Sequence, residues 1–379
     1  MRTLIVGGGI GGLTLAGLLA RHGQTPVVVD RRPTDADLGY GLALWPHGTR
    51  VFHALGIHED FVAASEPLGQ YVAQDGSGQL LTSSPMPASI SAYGHLGIIA
   101  RSDLLDILHA ALGDVDVRNG VSIDRLNQPG GHVDVELDDG TSGTFDLVVG
   151  ADGIHSRVRE LLFGRVPDRE TGWGCYVWWA DRQLVSGTET TERWGAGSFL
   201  GTYPCRERVC VILGAPLDVL EPDRPHGRTQ RLASLLRPYG VSITDFLAGL
   251  PADDEVLFLW PMADVRAPDW VQGRVALLGD AAAAFLPTAG IGASMALESA
   301  AVLADELTRT DSAFLPNALA LYERRRRARV EAAQTQSRRL AHLMFLRSTR
   351  LASLRNRGLR HASMEMMVGP LIKQLREPI

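Results

Sequence analysis

RTLIVGGGIGGLTLAGLLARHGQTPVVVD, residues 2–30, decides how the fold begins. Residues 2–6 are an apolar run of strand length, and glycines follow at once as Gly7-x-Gly9-x-x-Gly12. Leu13, Ala16, Leu19 and Ala20 recur at helical spacing until His22-Gly23 stops the pattern. Residues 25–30 make a second strand that ends in an acid, Asp30. Strand, glycine turn, helix, strand and acid in this order form the fingerprint of a dinucleotide-binding unit. Gly7 permits the tight turn, Gly9 lets a pyrophosphate approach the backbone, and Gly12 lets the helix pack close to the strand. The helix N-terminus then favours the phosphate charge. Asp30 can accept hydrogen bonds from the adenosine ribose and repels a 2′-phosphate, so the expected nucleotide is FAD or NAD, not NADP. Arg31, beside it, is a further candidate for cofactor contact.

The chain has 379 residues, enough for two domains or one large domain with an inserted sheet. At 45% hydrophobic and 21% charged it has the composition of a soluble globular protein. A net charge of −6 points to neither nucleic acid nor membrane. Lys373 is the only lysine, which excludes any mechanism that needs one in the body of the chain. Residues 319–361 hold twelve arginines against Glu323 and Glu331, and this basic stretch is expected to pair with the acidic remainder. Cys175, Cys205 and Cys210 have neither disulfide-framework nor metal spacing and read as small core residues; no metal is expected. The N-terminus resembles a signal peptide only superficially, because five glycines occupy the stretch where a signal needs a helical core. No run of eighteen apolar residues occurs, so the expectation is a cytoplasmic protein with no transmembrane segment.

Four further stretches narrow the choice of nucleotide. GYGLALWPHGTRVFHALG (39–56) is a glycine-rich passage after the ribose acid. IIARSDLLDILHAAL (98–112) places Arg101 at the start of an amphipathic helix, a position unfavourable for a cation unless an anion lies nearby. FDLVVGADGIHSRVRELL (145–162) is a buried strand ending in Asp152-Gly153, with Ser156 and Arg157 on the helix that follows. GRVALLGDAAAAFLPTAGIGASMALESAAVLADEL (273–307) ends a strand in one carboxylate, Asp280. It then offers almost only small residues up to Gly290, Gly292, Ala293 and Ser294. In this order and spacing the segments resemble the FAD-dependent aromatic hydroxylases, single-component flavoprotein monooxygenases related to p-hydroxybenzoate hydroxylase.

The resemblance implies an α/β fold: a Rossmann-like FAD-binding domain with an inserted mixed β-sheet and C-terminal helices. It implies that Arg101 contacts FAD near the pyrophosphate and ribityl chain. Asp152 would support FAD and the passing NAD(P)H, and Asp280 would accept a hydrogen bond from a ribityl hydroxyl. The helix starting at 288–294 would aim its free N–H groups at the flavin pyrimidine ring, favouring negative charge there. It also implies the cycle: NADH or NADPH reduces FAD, O₂ adds at flavin C4a, and the distal oxygen passes to a small-molecule substrate. Hydroxylation, epoxidation and Baeyer–Villiger insertion all remain open. The chain departs from the family pattern at Ala283, where a histidine is usual.

The FAD domain is expected to be discontinuous, at 1–70, 98–165 and 266–345. Segments 71–97 and 166–265, rich in strand-like patches (WGCYVWWA, GSFLGTY, RVCVILGAP, EVLFLWPM), are expected to form the substrate domain. Residues 346–379 read as a helical tail. Trp45, Tyr203, Trp260 and Pro287 are the leading pocket candidates. Trp178, Trp179, Tyr176, Phe199 and Met262 stand behind them, and alternation along a strand sends about half of such residues to the far face. An apolar aromatic or polyketide-like substrate suits these residues, in a monomer or homodimer. The rivals are a flavin reductase or dehydrogenase of an isoprenoid-like substrate, a halogenase, and a non-catalytic flavin-binding protein. The single lysine, seven residues from the end, argues against the halogenase.

Overall fold

The computed structural model describes residues 1–33, 39–185, 187–220, 227–248, 250 and 258–377. The first three residues of the expected strand 255–262 lie outside the described residues. The remainder belongs to the strand Phe258–Arg266.

The opening strand, Thr3–Val6, lies inside a six-stranded sheet. It runs parallel to Val27–Asp30 on one side and Leu147–Gly150 on the other. Asp116–Asn119 extends the sheet beyond Val27–Asp30, and Val275–Leu277 extends it beyond Leu147–Gly150, both again parallel. The short strand Val271–Gln272 closes that edge antiparallel. The four inner strands, Thr3–Val6, Val27–Asp30, Leu147–Gly150 and Val275–Leu277, are covered on both faces, which is why they read as nearly unbroken apolar runs. Parallel order brings every carboxyl end to the same edge of the sheet. Gly7, Asp30, Asp152 and Asp280, far apart in sequence, therefore meet at one crevice.

The glycine turn shows why its residues have no side chain. Gly7 has φ +116°, and a Cβ there would lie 2.3 Å from the Ala151 carbonyl oxygen. A Cβ on Gly12 would sit 2.0 Å from the Gly7 oxygen, so the helix Ile10–Arg21 could not approach the strand.

A second sheet has seven strands, in the order Phe258–Arg266, Arg169–Asp181, Arg208–Pro216, Phe199–Cys205, Thr190–Trp194, Gln70–Asp75 and Leu80–Pro85. All neighbours are antiparallel except Thr190–Trp194 with Gln70–Asp75, which are parallel. Two segments about a hundred residues apart thus build one sheet. Along Arg169–Asp181 the side chains alternate. Tyr176 and Trp178 pack with Leu220, Leu232, Leu236 and Phe246 on one face, while Cys175 and Val177 join a separate apolar cluster on the other. All three cysteines are buried and unpaired.

The C-terminal third is helical. Leu315–Met344 packs against the helix Gly292–Thr308, and Thr349–Leu359 packs against the second sheet. Met364–Arg376 turns back onto the core around the first sheet, with Met367 reaching the second sheet's apolar cluster. The arginine-rich stretch is largely consumed internally. Arg325 pairs with Asp305 at 2.7 Å, Arg327 with Glu323 at 2.7 Å, and Arg338 with Asp264 at 2.8 Å. Arg355 donates to the carbonyls of Met344, Trp194 and Gly195. Arg326, with no exposed surface, pairs with the equally buried Glu298.

Candidate active site

The strand ends of the first sheet open into a cavity of 1430 Å³ that continues across to the second sheet. Its nucleotide end is built from the residues the sequence singled out: Gly7, Gly9, Asp30, Arg31, Arg101, Asp152 and Asp280 all line it. Gly12 does not, because its part is the close packing described above. A Cβ on Gly9 would meet no atom within 4 Å, so this glycine leaves open space on the cavity side.

The acids differ in how they are used. Asp30 accepts from the Gly8 N–H at 2.7 Å and from Arg32, through its N–H at 2.8 Å and its guanidinium at 3.1–3.2 Å. Burial alone would push its carboxyl up, but hydrogen bonds and charge from Arg32 hold it below the ordinary range. It is Arg32, not Arg31, that pairs with this acid; Arg31 stays exposed at the cavity rim. That pairing also weakens the repulsion of a 2′-phosphate expected from a lone acid.

Asp152 accepts from the Ser156 hydroxyl and from the N–H groups of Arg157 (2.7 Å) and Val158 (3.1 Å). Its carboxylate is thereby committed to the start of the helix Arg157–Phe163, fixing the loop that forms the cavity edge.

Asp280 is the opposite case. Among the described residues it makes no hydrogen bond or ion pair, although its side chain is open to the cavity. Protein surrounds that part of the cavity, and burial pushes the carboxyl up to about 6. Arg101 opens the helix Arg101–Ala110, and its guanidinium stands 6.0 Å from the ring centre of Tyr40.

The middle of the cavity is shaped by small groups. Pro287, Gly290, Gly292 and Ala293 line it where the helix Gly292–Thr308 begins. Gly290 adopts φ +57°, and a Cβ there would come 3.9 Å from the Trp45 indole nitrogen. That nitrogen is buried and has no hydrogen-bond partner among the described residues. The Trp45 N–H of the backbone donates to the Ser294 hydroxyl at 2.9 Å, tying this segment to the helix. Ala283 is buried in the core and does not reach the cavity wall.

The far end is walled by the second sheet and the C-terminal helices. Tyr203, Trp260 and Met262 line it. Tyr176, Trp178, Trp179 and Phe199 do not; Tyr176 and Trp178 turn to the other face and donate to the carbonyls of Leu220 and Phe246. Two features were not anticipated from sequence. The tail contributes Leu359, Met364, Met367 and Leu371 to the wall. Glu192 also stands on it, accepting from Tyr71 at 2.6 Å, Tyr203 at 2.8 Å and the Trp194 indole at 3.0 Å. Burial pushes its carboxyl above the ordinary range against those three hydrogen bonds.

A family model described as an FAD binding domain matches residues 1–197 and 224–337. The chain belongs to the FAD-dependent aromatic hydroxylase family. The aurachin C monooxygenase/isomerase of Stigmatella aurantiaca is 31% identical over 328 residues, 85% of this chain and 84% of that protein. The 2-heptyl-3-hydroxy-4(1H)-quinolone synthase of Pseudomonas aeruginosa is 31% identical over 341 residues, 89% and 88% of the two chains. In fold the chain is similar to Klebsiella pneumoniae HpxO complexed with FAD and uric acid. That match has a TM-score of 0.87 at 24% identity and covers 99% of this chain and 96% of that one. This chain is an FAD-dependent monooxygenase with NADH or NADPH as co-substrate.

The cavity fits FAD on observations of its own. Gly9 leaves room at the helix N-terminus, and among the described residues the Trp45 indole N–H and the Asp280 carboxylate, both on the lining, have no hydrogen-bond partner. Among the described residues no cluster suits a metal ion, and no helix is long and apolar enough to cross a membrane.

The two motif glycines are expected to fail differently. Gly9→Val should fold with a stability change within about 0.5 kcal/mol, since its side chain enters open space, but lose bound FAD. Gly12→Ala should lose about 3 kcal/mol or more, because backbone must move. Flavin absorbance per protein and thermal unfolding measure both. Stoichiometric flavin in Gly9→Val would sink the pyrophosphate assignment.

Proposed function

We propose that this monooxygenase hydroxylates or epoxidises a mostly apolar bicyclic aromatic of quinolone type, acting as a monomer or homodimer. The observation that carries the reading is the single continuous cavity, polar at the strand ends and walled at its far end by Tyr203, Trp260, Met262, Leu340 and Met344. A flat apolar ring system suits such walls. The quinolone in the name of one relative, the 2-heptyl-3-hydroxy-4(1H)-quinolone synthase, supports the same class.

When bound, FAD supplies the redox chemistry, accepting hydride from NADH or NADPH and passing one atom of O₂ to the substrate. The chain's own residues supply geometry and electrostatics. Gly7, Gly9 and the N-terminus of Ile10–Arg21 would hold the pyrophosphate, and Asp30 with Arg32 the adenosine ribose. Asp280 would accept from a ribityl hydroxyl, with Arg101 beside it. The free N–H groups at Gly292–Ser294 would stabilise negative charge on the flavin ring. The inserted sheet and the tail helices would orient substrate and keep water from the reacting atoms. Residues 71–97 and 166–265 thus serve as the substrate side, with 346–379 as part of its wall. The histidine usual in the family has no counterpart at Ala283, and the reading assigns no proton transfer there.

The test uses the purified holoenzyme with a panel of alkylquinolones and monocyclic aromatics. A quinolone should stimulate NADH or NADPH oxidation and O₂ uptake, with a product heavier by one oxygen atom. Reoxidation without any oxygenated product across the panel would overturn the reading.

A further inference from the structure

Among the described residues no arginine, lysine or histidine of the second sheet lines the cavity. That face does carry acids. Glu170 is exposed at a strand end, whereas Glu192 is partly buried in the middle of the sheet. Thr190, Glu192 and Trp194 alternate onto the cavity side of their strand, and Thr191 and Arg193 fall on the other. Among the described residues Glu192 has no ion pair; its three donors are two phenols and an indole, all neutral.

The arrangement is built rather than incidental. Tyr71 reaches Glu192 from the parallel neighbour strand and Tyr203 from the antiparallel one. Gly201 stands directly opposite Glu192 in register, and a Cβ there would lie 2.5 Å from the Tyr203 ring. The missing side chain is what lets that ring lean over and bring its hydroxyl to the carboxylate.

The acceptor count leaves one position open. Oε2 takes Tyr71 and Trp194, while Oε1 takes Tyr203 alone. A carboxylate oxygen accepts two hydrogen bonds, so Oε1 retains one site at the cavity wall. An N–H or O–H donor placed there gains a charge-assisted hydrogen bond. A second carboxylate would meet like charge in a poorly hydrated pocket. Arg339, the cation that the long helix adds to the lining, is exposed, and solvent screens its charge.

We propose that Glu192, held by Tyr71, Tyr203 and Trp194, determines substrate specificity. It selects aromatics that present a neutral N–H or O–H donor and rejects aromatic carboxylates. The inference rests on the reading that the cavity takes bicyclic aromatics.

Binding to the oxidised holoenzyme, followed by perturbation of the flavin absorbance, tests it without turnover. The probes are 4(1H)-quinolone, its N-methyl analogue, which cannot donate, and quinoline-4-carboxylate. The wild type should bind the N–H compound about tenfold or more tighter than the N-methyl compound and bind the acid least. Glu192→Gln, checked for flavin content and melting temperature, should lose most of that preference and gain affinity for the acid. Equal binding of the N–H and N-methyl probes, or tight binding of the acid, by wild type overturns the role of Glu192 alone. Binding of no probe overturns the substrate reading and this inference with it. The wild-type panel decides the matter even if the variant does not fold.

Discussion

Asp280→Asn is expected to weaken FAD binding while making the flavin-free protein more stable at neutral pH. The two effects share one cause. Asp280 stands at the end of the strand Val275–Leu277 with no partner among the described residues, and burial raises its carboxyl from 3.8 to about 6. A raised carboxyl means the folded state binds the proton more tightly than the unfolded state does. The destabilisation is therefore absent below about pH 4, grows between 3.8 and about 6, and is complete above. Removing the charge should raise the melting temperature of the flavin-free protein at pH 7–8, and the difference should vanish near pH 4. In the holoenzyme as proposed, the same charge would have a ribityl hydroxyl to accept from. A hydrogen bond to a charged acceptor contributes about 1.5–3 kcal/mol, so FAD should bind roughly 10- to 100-fold more weakly. Paired thermal scans of flavin-free and flavin-loaded protein at several pH values, with a flavin titration, measure both. Unchanged FAD affinity would remove Asp280 from the cofactor site. Unchanged flavin-free stability at pH 7 would show the carboxylate is better solvated than its surroundings suggest.

Residues 2–30 were readable because their signals are local: a turn that requires glycine, a helical period, and an acid at a strand end. The convergence of Asp30, Asp152 and Asp280 was also readable, since each ends an apolar strand of parallel type. What local pattern could not supply was strand phase. Tyr176 and Trp178 stayed among the pocket candidates, behind Tyr203, until the register with Arg208–Pro216 placed them on the far face. Glu192 in TTERW looks like a solvent-facing strand residue. Only the alternation Thr190, Glu192, Trp194 hinted otherwise, and it gains meaning when Tyr71 arrives from 121 residues away. The tail helices failed to register as wall for a related reason. Their exposed leucines, Leu351 and Leu354, mask the apolar face formed by Leu359, Met364 and Leu371.

Glu298→Gln is expected to cost the protein about 3–5 kcal/mol, the range for leaving buried charge without its partner. Glu298 has no exposed surface and sits on the helix that starts at Gly292. Arg326 pairs with it at 2.6 Å and Arg329 at 3.0 Å, both from the long helix, and Arg50 joins from the segment that follows Trp45. Burial pushes the Glu298 carboxyl up, but these three guanidiniums outweigh it and hold the carboxyl below its ordinary value. His47, buried beside them, is pushed down to about 4, by burial first and by Arg329 and Arg50 after, so it adds no charge at neutral pH. The amide of glutamine keeps the shape but leaves three cations facing one another. The loss is large against a total stability of about 5–15 kcal/mol, so less soluble protein and a lower melting temperature should both appear. Glu298 also joins the Trp45 segment to the helix whose first turn lines the cavity, so surviving protein should hold FAD less firmly. Arg326→Met should ease the strain, because it removes the most buried cation; Glu298→Gln/Arg326→Met should melt above Glu298→Gln alone. A loss below about 1 kcal/mol for Glu298→Gln would mean the cluster is weaker than its burial implies.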